Sequence, residues 1–308
     1  MKLRFLFVVL IAVWLSIQIA EAQTAKRSRR SAKSTVPTSV YYDQNYLVEV
    51  SALKFWDKTL QGYLLGAHME YLFRLSGKPG AGWSVGAFAE AQGGGLQSKN
   101  AQYNEPAVNW EAGGVLKLSK PGLQYRLSLG YGQNYLYGKF ANGLTQTLFS
   151  HSLSGCLLFH PYADRLNPKS IWFNDASLYL SGKMPLKEDK SFWAEKPVNL
   201  ELLPQKISLG GELTLIDVRL SQKFMVPLGL TASYNQYDLK NSKFYTELGA
   251  FIEPYWNNRP VGRIYFNYQA GATGTHFGRS VLGISFDFGC LLDKNEPKKS
   301  STTNRRSK

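Results

Sequence analysis

Long stretches of strict alternation between apolar and polar residues constrain this chain more than any other feature of its sequence. In residues 62–76, one set of alternate positions is apolar or aromatic and the other is polar or glycine, apart from Leu64 and Leu72. Residues 123–137 and 280–292 repeat the pattern. A period of two places successive side chains on opposite faces of a β-strand. Such strands exceed the roughly five or six residues of a typical soluble strand and match the ~10 residues that cross a bilayer at a tilt.

Twelve segments of this kind predict an all-β fold, a transmembrane antiparallel up-and-down β-barrel of about twelve strands, with ten or fourteen strands left open. The predicted strands lie near residues 45–56, 62–76, 82–92, 107–118, 123–137, 144–159, 172–182, 206–219, 227–238, 243–256, 261–270 and 280–292. No run between the tails approaches the ~18 apolar residues of a transmembrane helix, which excludes a helical membrane protein. A secreted soluble β-sandwich is disfavoured, because so many outward Leu, Phe and Tyr residues would promote aggregation in water.

The connections between these segments predict an orientation. Every second connection should be a tight turn on the periplasmic side, and such turns fit four Pro-containing segments, at residues 76–80, 119–122, 221–227 and 257–260. Longer connections, expected to be extracellular loops, lie at residues 93–106 and 183–205. Residues 161–171 should form a short turn but are long, which leaves either a short helix or a register slip there.

The N-terminus predicts export. Lys2 and Arg4 precede a nearly apolar run over residues 5–19, and the small residues of Ala20-Glu21-Ala22 predict cleavage before Gln23. An uncleaved anchor helix is the alternative, although the run falls short of the ~20 residues that span a bilayer. We therefore expect a bacterial outer-membrane location, with a cleaved signal peptide at residues 1–22 and both termini in the periplasm.

Two basic tails flank the predicted barrel. Residues 23–39 and 293–308 have too few apolar residues to offset the entropy of ordering, so both are predicted to be disordered, with the barrel at residues 40–292. The chain carries a net charge of +14, but residues 34–292 carry only +4, so nucleic acid is not an expected partner. The tails are predicted to be either solvated spacers or contacts to anionic lipid, a cell-wall polymer or an acidic envelope protein.

The polar faces of the strands predict a charged lumen. Thirteen ionisable residues fall on these faces: Glu49, His68, Glu70, Arg74, Glu90, Glu111, Lys117, Arg126, Glu212, Glu247, Glu253, Arg263 and Asp287. Both signs are present, and the interior of a barrel with about twelve strands is narrow. Opposite charges are therefore expected to pair into an internal scaffold. The alternative is a selectivity ring for a small polar solute.

No enzyme is predicted. Outer-membrane lipid hydrolases place His two residues before Ser, whereas His151 is followed at that distance by Leu153. Ser152 adjoins His151, but neighbours on a strand point to opposite faces and cannot form a nucleophile–base pair. His68 and Glu70 share a face, and this spacing is more typical of a hydrogen bond in the lumen than of a catalytic dyad.

No metal site or cofactor is predicted either, because the four histidines and two cysteines are scattered along the chain. Cys156 falls on the polar face and Cys290 on the lipid face of its strand, so both are interpreted as unpaired. The run Gly93-Gly94-Gly95 is interpreted as part of a loop, since no Lys-Ser or Lys-Thr follows it as in a phosphate-binding loop.

Taken together, the site Ala20-Glu21-Ala22 followed by Gln23, the alternating strands and the closing segment 281–288 resemble the outer-membrane β-barrel proteins of the Bacteroidota type. The chain departs from many barrels in that some twenty residues follow Phe288, its equivalent of their terminal aromatic residue. Barrels of this type include secretion-apparatus components, solute pores and lipid-modifying enzymes.

The resemblance and the tails favour a non-enzymatic structural or assembly component of an envelope or secretion apparatus, which contacts outer-membrane lipid and, through its tails, periplasmic or envelope proteins. A narrow pore for small polar solutes is the second hypothesis. A lipid-modifying enzyme is the third.

Overall fold

The computed structural model describes residues 46–57, 60–77, 81–98, 104–120, 123–139, 145–161, 172–188, 206–221, 223–238, 243–256, 259–271 and 278–288. The predicted signal peptide, both basic tails and Cys290 lie outside the described residues, so those predictions stay untested. The described parts of the chain contain no helix that is long and apolar enough to cross a membrane.

Twelve long strands and two short ones make up the fold. The long strands are β1 (Tyr46–Trp56), β2 (Leu60–Arg74), β3 (Gly82–Ser98), β4 (Asn104–Lys120), β5 (Leu123–Lys139), β6 (Thr145–His160), β7 (Trp172–Glu188), β8 (Lys206–Arg219), β9 (Phe224–Asp238), β10 (Lys243–Ile252), β13 (Gly262–Gly271) and β14 (Gly278–Asp287). The short segments β11 (Tyr255–Trp256) and β12 (Arg259–Pro260) pair with each other in the connection between β10 and β13.

The twelve long strands close into a barrel. Each long strand pairs antiparallel with its neighbours in the chain, β10 pairs with both β9 and β13, and β14 pairs with β1. Closure leaves no unpaired strand edge in the ring. The predicted antiparallel up-and-down barrel of about twelve strands is confirmed. The start of β1 and the end of β14 lie at one end, called here the terminal end, and the other end is called the opposite end.

The outer surface is apolar. Leu65, Leu129 and Leu248 face outward and are 58%, 61% and 64% exposed, and Tyr71 packs edge-on against Phe73 at 4.5 Å. A continuous apolar surface of this kind would aggregate in water, whereas a bilayer accommodates it. The molecule is therefore an outer-membrane-type β-barrel, in which every second side chain of a strand faces lipid.

Several predicted boundaries are wrong, most clearly in β3. Gly93-Gly94-Gly95 is not a loop but lies within β3, opposite Leu65, Leu64 and Tyr63 of β2. A Cβ at Gly94 would lie 1.9 Å from the carbonyl oxygen of Tyr63, so glycine permits a close approach of the two backbones. The sequence suggested a loop because glycine contributes nothing to the alternating pattern.

Other strand ends also move. β7 continues through Lys183 to Glu188, into the predicted loop at residues 183–205, while β10 ends at Ile252, four residues early. Pro227, predicted to lie in a turn, pairs with Asp217 inside β9. The chain bends after β2 at Gly77, which adopts a φ of 87° that residues with a Cβ rarely tolerate, and residues 78–80 of the predicted turn lie outside the described residues.

Candidate functional site

The candidate site is the lumen, which the inward side chains leave partly empty. Two cavities of about 610 and 480 Å³ lie inside the barrel. They share six lining residues: Leu47, Glu49, Leu53, Gln92, Tyr265 and Ser285. We call them cavity 1 and cavity 2. Because they share these residues, the two cavities adjoin each other inside the barrel.

The structure places most of the predicted lumen residues at these cavities. Cavity 1 is lined by Glu49, Glu212, Glu247, Glu253, Arg263 and Asp287. Cavity 2 is lined by Glu49, His68, Glu70, Glu90, Lys117 and Arg126. Glu111 accepts a hydrogen bond from Ser154 and does not line either cavity. Arg74 is exposed at the terminal end of β2.

Charged side chains form a network beside cavity 2. The Arg126 guanidinium donates to the Glu70 carboxylate, and His68 Nδ1 lies 3.3 Å from Glu90 Oε2. The other ring nitrogen of His68 lies 3.8 Å from Glu70 Oε2, and its ring stacks on Phe88 at 6.0 Å. His68 therefore lies between two carboxylates, but its 3.8 Å separation from Glu70 is longer than the hydrogen bond that their spacing predicted.

A second network lies beside cavity 1. The Arg263 guanidinium donates two hydrogen bonds, of 3.0 and 2.7 Å, to the two carboxylate oxygens of Glu212. The same guanidinium lies 4.1 Å from the centre of the Phe251 ring. Asn267 and Gln269 donate to Glu247, the latter at 3.4 Å. A bidentate pair stacked on an aromatic ring is a rigid arrangement, so this part of the wall is preorganised.

Two further ion pairs were not predicted. Arg279 donates to Asp57 at 3.2 and 3.0 Å near the opposite end, and Arg279 is only 5% exposed. His160 Nε2 contacts Asp175 near the terminal end. Arg279 was missed because the predicted last strand began at residue 280. The alternation of β14 would place it inward once the strand is extended by two residues.

The inner wall also has an apolar part. Leu72, which interrupts the alternation of β2, packs inside the barrel against Phe88 and Val115. Leu64, the other interruption, is 1% exposed. These residues break the pattern because a lumen need not be polar where its wall is packed.

The side of cavity 1 formed by β7, β8 and β9 carries two charged residues, Lys206 and Glu212, among neutral polar ones. The neutral members carry hydroxyl or amide groups: Tyr179, Ser181, Ser208, Thr231, Ser233 and Asn235. Ser208 is 2% exposed, and its hydroxyl oxygen has no hydrogen-bond partner among the described residues. We call this set the hydroxyl wall. This wall was not predicted, because only ionisable residues of the polar strand faces were expected to line the lumen.

His151 and Ser152 point to opposite faces, as the alternation predicts. His151 faces outward, where Tyr131 and Gln133 contact its Nδ1, the latter at 3.1 Å, while Ser152 is fully buried inside. Among the described residues, no group of three or more His, Cys, Asp or Glu side chains could hold a metal ion.

Comparison with known proteins gives distant structural likeness only. No family model and no curated protein sequence matches the chain. Similar solved structures include the β domain of the Bordetella autotransporter BrkA, at 12% identity, with 79% of this chain and 98% of that chain covered and a TM-score of 0.48. The transport unit of the autotransporter AIDA-I from Escherichia coli aligns at 9% identity over 87% and 97%, with a TM-score of 0.45. The Acinetobacter baumannii outer membrane protein Omp33 aligns at 12% identity over 80% and 100%, with a TM-score of 0.37.

At this level of similarity the comparisons carry no conclusion about function. The fold of this chain rests on the pairing of its own strands and on its apolar outer surface. The resemblance to the Bacteroidota type of barrel stays a prediction.

Proposed function

We propose that this protein is a narrow, non-enzymatic pore for small polar solutes in the bacterial outer membrane. The observation that carries the proposal is the pair of adjoining cavities, lined by many polar residues, inside a closed barrel. A lumen built only as a scaffold would be filled by its side chains. Here polar groups line open space, as they do in a water-filled channel.

The charge pairs explain why the pore is narrow. Glu70 and Arg126 lie on β2 and β5, and Glu212 and Arg263 lie on β8 and β13, so each pair joins strands three positions apart in the ring. Each pair therefore crosses part of the lumen instead of lying along one strand pair. Such bridges leave passages for small solutes and exclude large ones.

The assembly role predicted from the basic tails stays a hypothesis. It rests on residues 23–39 and 293–308, which lie outside the described residues. No side-chain arrangement in the described residues favours the lipid-modifying enzyme. The pore is preferred because it is the hypothesis that the geometry of the lumen supports directly.

Conductance of the purified protein in planar bilayers tests the pore. Discrete, small conductance steps are expected. Replacing both members of one bridge, Glu70→Ala with Arg126→Ala, should enlarge the steps, because it removes two side chains that narrow cavity 2. Lys54→Ala is the matched control, since Lys54 lies on the outer face opposite Tyr63 and Leu282.

A folded barrel that never conducts would contradict the pore. Folding is checked independently by the altered electrophoretic mobility of unboiled protein. Absent conductance, together with partners that co-purify only when residues 293–308 are present, would favour the assembly role.

A further inference from the structure

The strand register places ionisable residues of the inner wall in one continuous row. Asp287 of β14 lies opposite Glu49 of β1, which lies opposite His68 of β2. His68 lies opposite Glu90 of β3, and Glu90 lies opposite Glu111 of β4. We call these five residues the carboxylate row. Four of them are acids, and they occupy five adjacent strands without interruption.

The row runs obliquely along the wall of the lumen, so its members lie at different heights along the barrel axis. Neighbouring strands are ~4.8 Å apart, so its four steps cover roughly 19 Å of wall. It runs perpendicular to strands that are tilted by about 40°, which gives a rise of roughly 12 Å along the barrel axis. Asp287 is the last residue of β14, at the terminal end. Continued along the same line of paired residues, the row passes from Glu111 to Gly132, Ser152 and Pro185. Pro185 lies three residues before the end of β7, near the opposite end of the barrel. The row therefore runs from the terminal end toward the opposite end.

The row contains two direct neighbours of like charge. Glu49 faces Asp287, and Glu90 faces Glu111. Like charges directly opposite on paired strands are destabilising. His68 lies centrally between Glu49 and Glu90 and offsets part of this repulsion, and Ser154 donates to Glu111.

The charge of the whole cavity lining has the same sign. Among the described residues that line cavities 1 and 2, there are seven acidic residues against four Lys or Arg residues and His68. This contrasts with the chain as a whole, which carries +14. A narrow space whose lining has an excess of one sign of charge, enclosed by a low-dielectric wall, concentrates ions of the other sign.

The hydroxyl wall supplies a second, independent observation. Ser208 is 2% exposed and lines cavity 1 together with Glu49 and Asp287, and its hydroxyl oxygen lacks a partner among the described residues. Buried hydroxyls normally have a partner, and an unpaired one facing a cavity is suited to an occupant. Carboxylate and hydroxyl oxygens both replace water around small hard cations.

We propose that the carboxylate row, facing the hydroxyl wall, makes the lumen a path for small inorganic cations and excludes anions. This inference rests on the proposed pore function and adds the class of solute. The members of the row that line the cavities attract the cation, and the hydroxyl and amide oxygens opposite replace part of its hydration, beside the Lys206 side chain of the same lining.

The reversal potential of single channels in a KCl gradient tests the inference. The unaltered protein should pass potassium in preference to chloride. Glu90→Gln should lower the potassium-to-chloride permeability ratio severalfold, and Glu90→Lys should lower it further or invert it, because residue 90 belongs to the row and lines cavity 2. Lys54→Gln changes one charge on the outer face and should leave the ratio unchanged.

The outcomes separate the two proposals. Channels that prefer chloride or do not discriminate, or a Lys54→Gln shift as large as that of Glu90→Gln, would overturn the cation path and leave the pore standing. A correctly folded protein that forms no channels would overturn the pore itself and the cation path with it. Glu49→Gln serves as a second neutralised variant in case the residue 90 variants fold poorly, and it should lower the ratio in the same direction.

Discussion

The outer and inner faces of the same strands accept different kinds of residue. Two consecutive residues of β9 show the contrast. Leu230 is 48% exposed on the outer surface, while Thr231 lines cavity 1 opposite Glu212. A single step along the backbone therefore moves a side chain from lipid to a polar lumen. On the outer face only the apolar character of a residue matters, because lipid adapts to any shape. On the inner face the identity of each residue matters, because fixed partners surround it.

The difference between the two faces can be tested by placing the same charge on each of them in turn. Leu230→Arg should destabilise the folded barrel by about 2–4 kcal/mol, because position 230 lies in the middle of its strand and faces the centre of the bilayer. Thr231→Arg is the matched variant. It should cost far less, since the side chain enters cavity 1 beside Glu212. Urea-induced unfolding from lipid vesicles measures both values.

Equal costs for the two arginine variants would mean that Thr231 is not in a water-accessible lumen. A harmless Leu230→Arg would mean that the outer face of β9 does not contact lipid. Either result would remove the distinction between the faces.

A second pair of variants tests crowding instead of polarity. A Cβ at Gly113 would lie 2.0 Å from the carbonyl oxygen of Leu129, whereas the nearest atom to a Cβ at Gly114 is 3.8 Å away, at Gly86. Gly113→Ala should therefore cost about 1–3 kcal/mol through forced backbone shifts. Gly114→Ala, on the outer face, should be neutral or stabilise by up to ~1 kcal/mol, because alanine restricts the unfolded chain. The same unfolding assay compares them, and equal stabilities would show that the inner wall has room to adjust.

The difference between the faces also explains what the sequence could predict. The period-two pattern identified the strands and their faces because lipid imposes one rule along the whole outer surface. It placed residues such as His68 and Glu212 on the inner wall for the same reason. The pattern says nothing about which inward residues are neighbours, since that depends on the register between strands. The contacts of Glu90 with His68 and of Arg263 with Glu212 could not be derived from the sequence.

The alternating pattern also failed to identify glycine-rich parts of strands. Gly93-Gly94-Gly95 gives no alternating signal, because a residue without a side chain is compatible with both faces. Its place in β3 follows from the partners on β2, which are distant in sequence. The carboxylate row was hidden for the same reason, because four register steps must be known before Asp287 and Glu111 can be placed in one line.

The smallest expected effect distinguishes two kinds of buried polar group on the inner wall. Asn134 and Ser208 are 0% and 2% exposed, but Asn134 donates to Ser150 at 3.0 Å and accepts from Lys183 at 3.2 Å. Asn134→Ala should therefore cost about 1–3 kcal/mol, because the buried Ser150 hydroxyl loses its donor and Lys183 loses one acceptor. Ser208→Ala should change the unfolding free energy by less than ~0.5 kcal/mol, because its hydroxyl oxygen has no partner among the described residues. If Ser208→Ala destabilised the barrel as much as Asn134→Ala, the Ser208 hydroxyl would stabilise the fold. It would then no longer support the presence of an occupant in cavity 1.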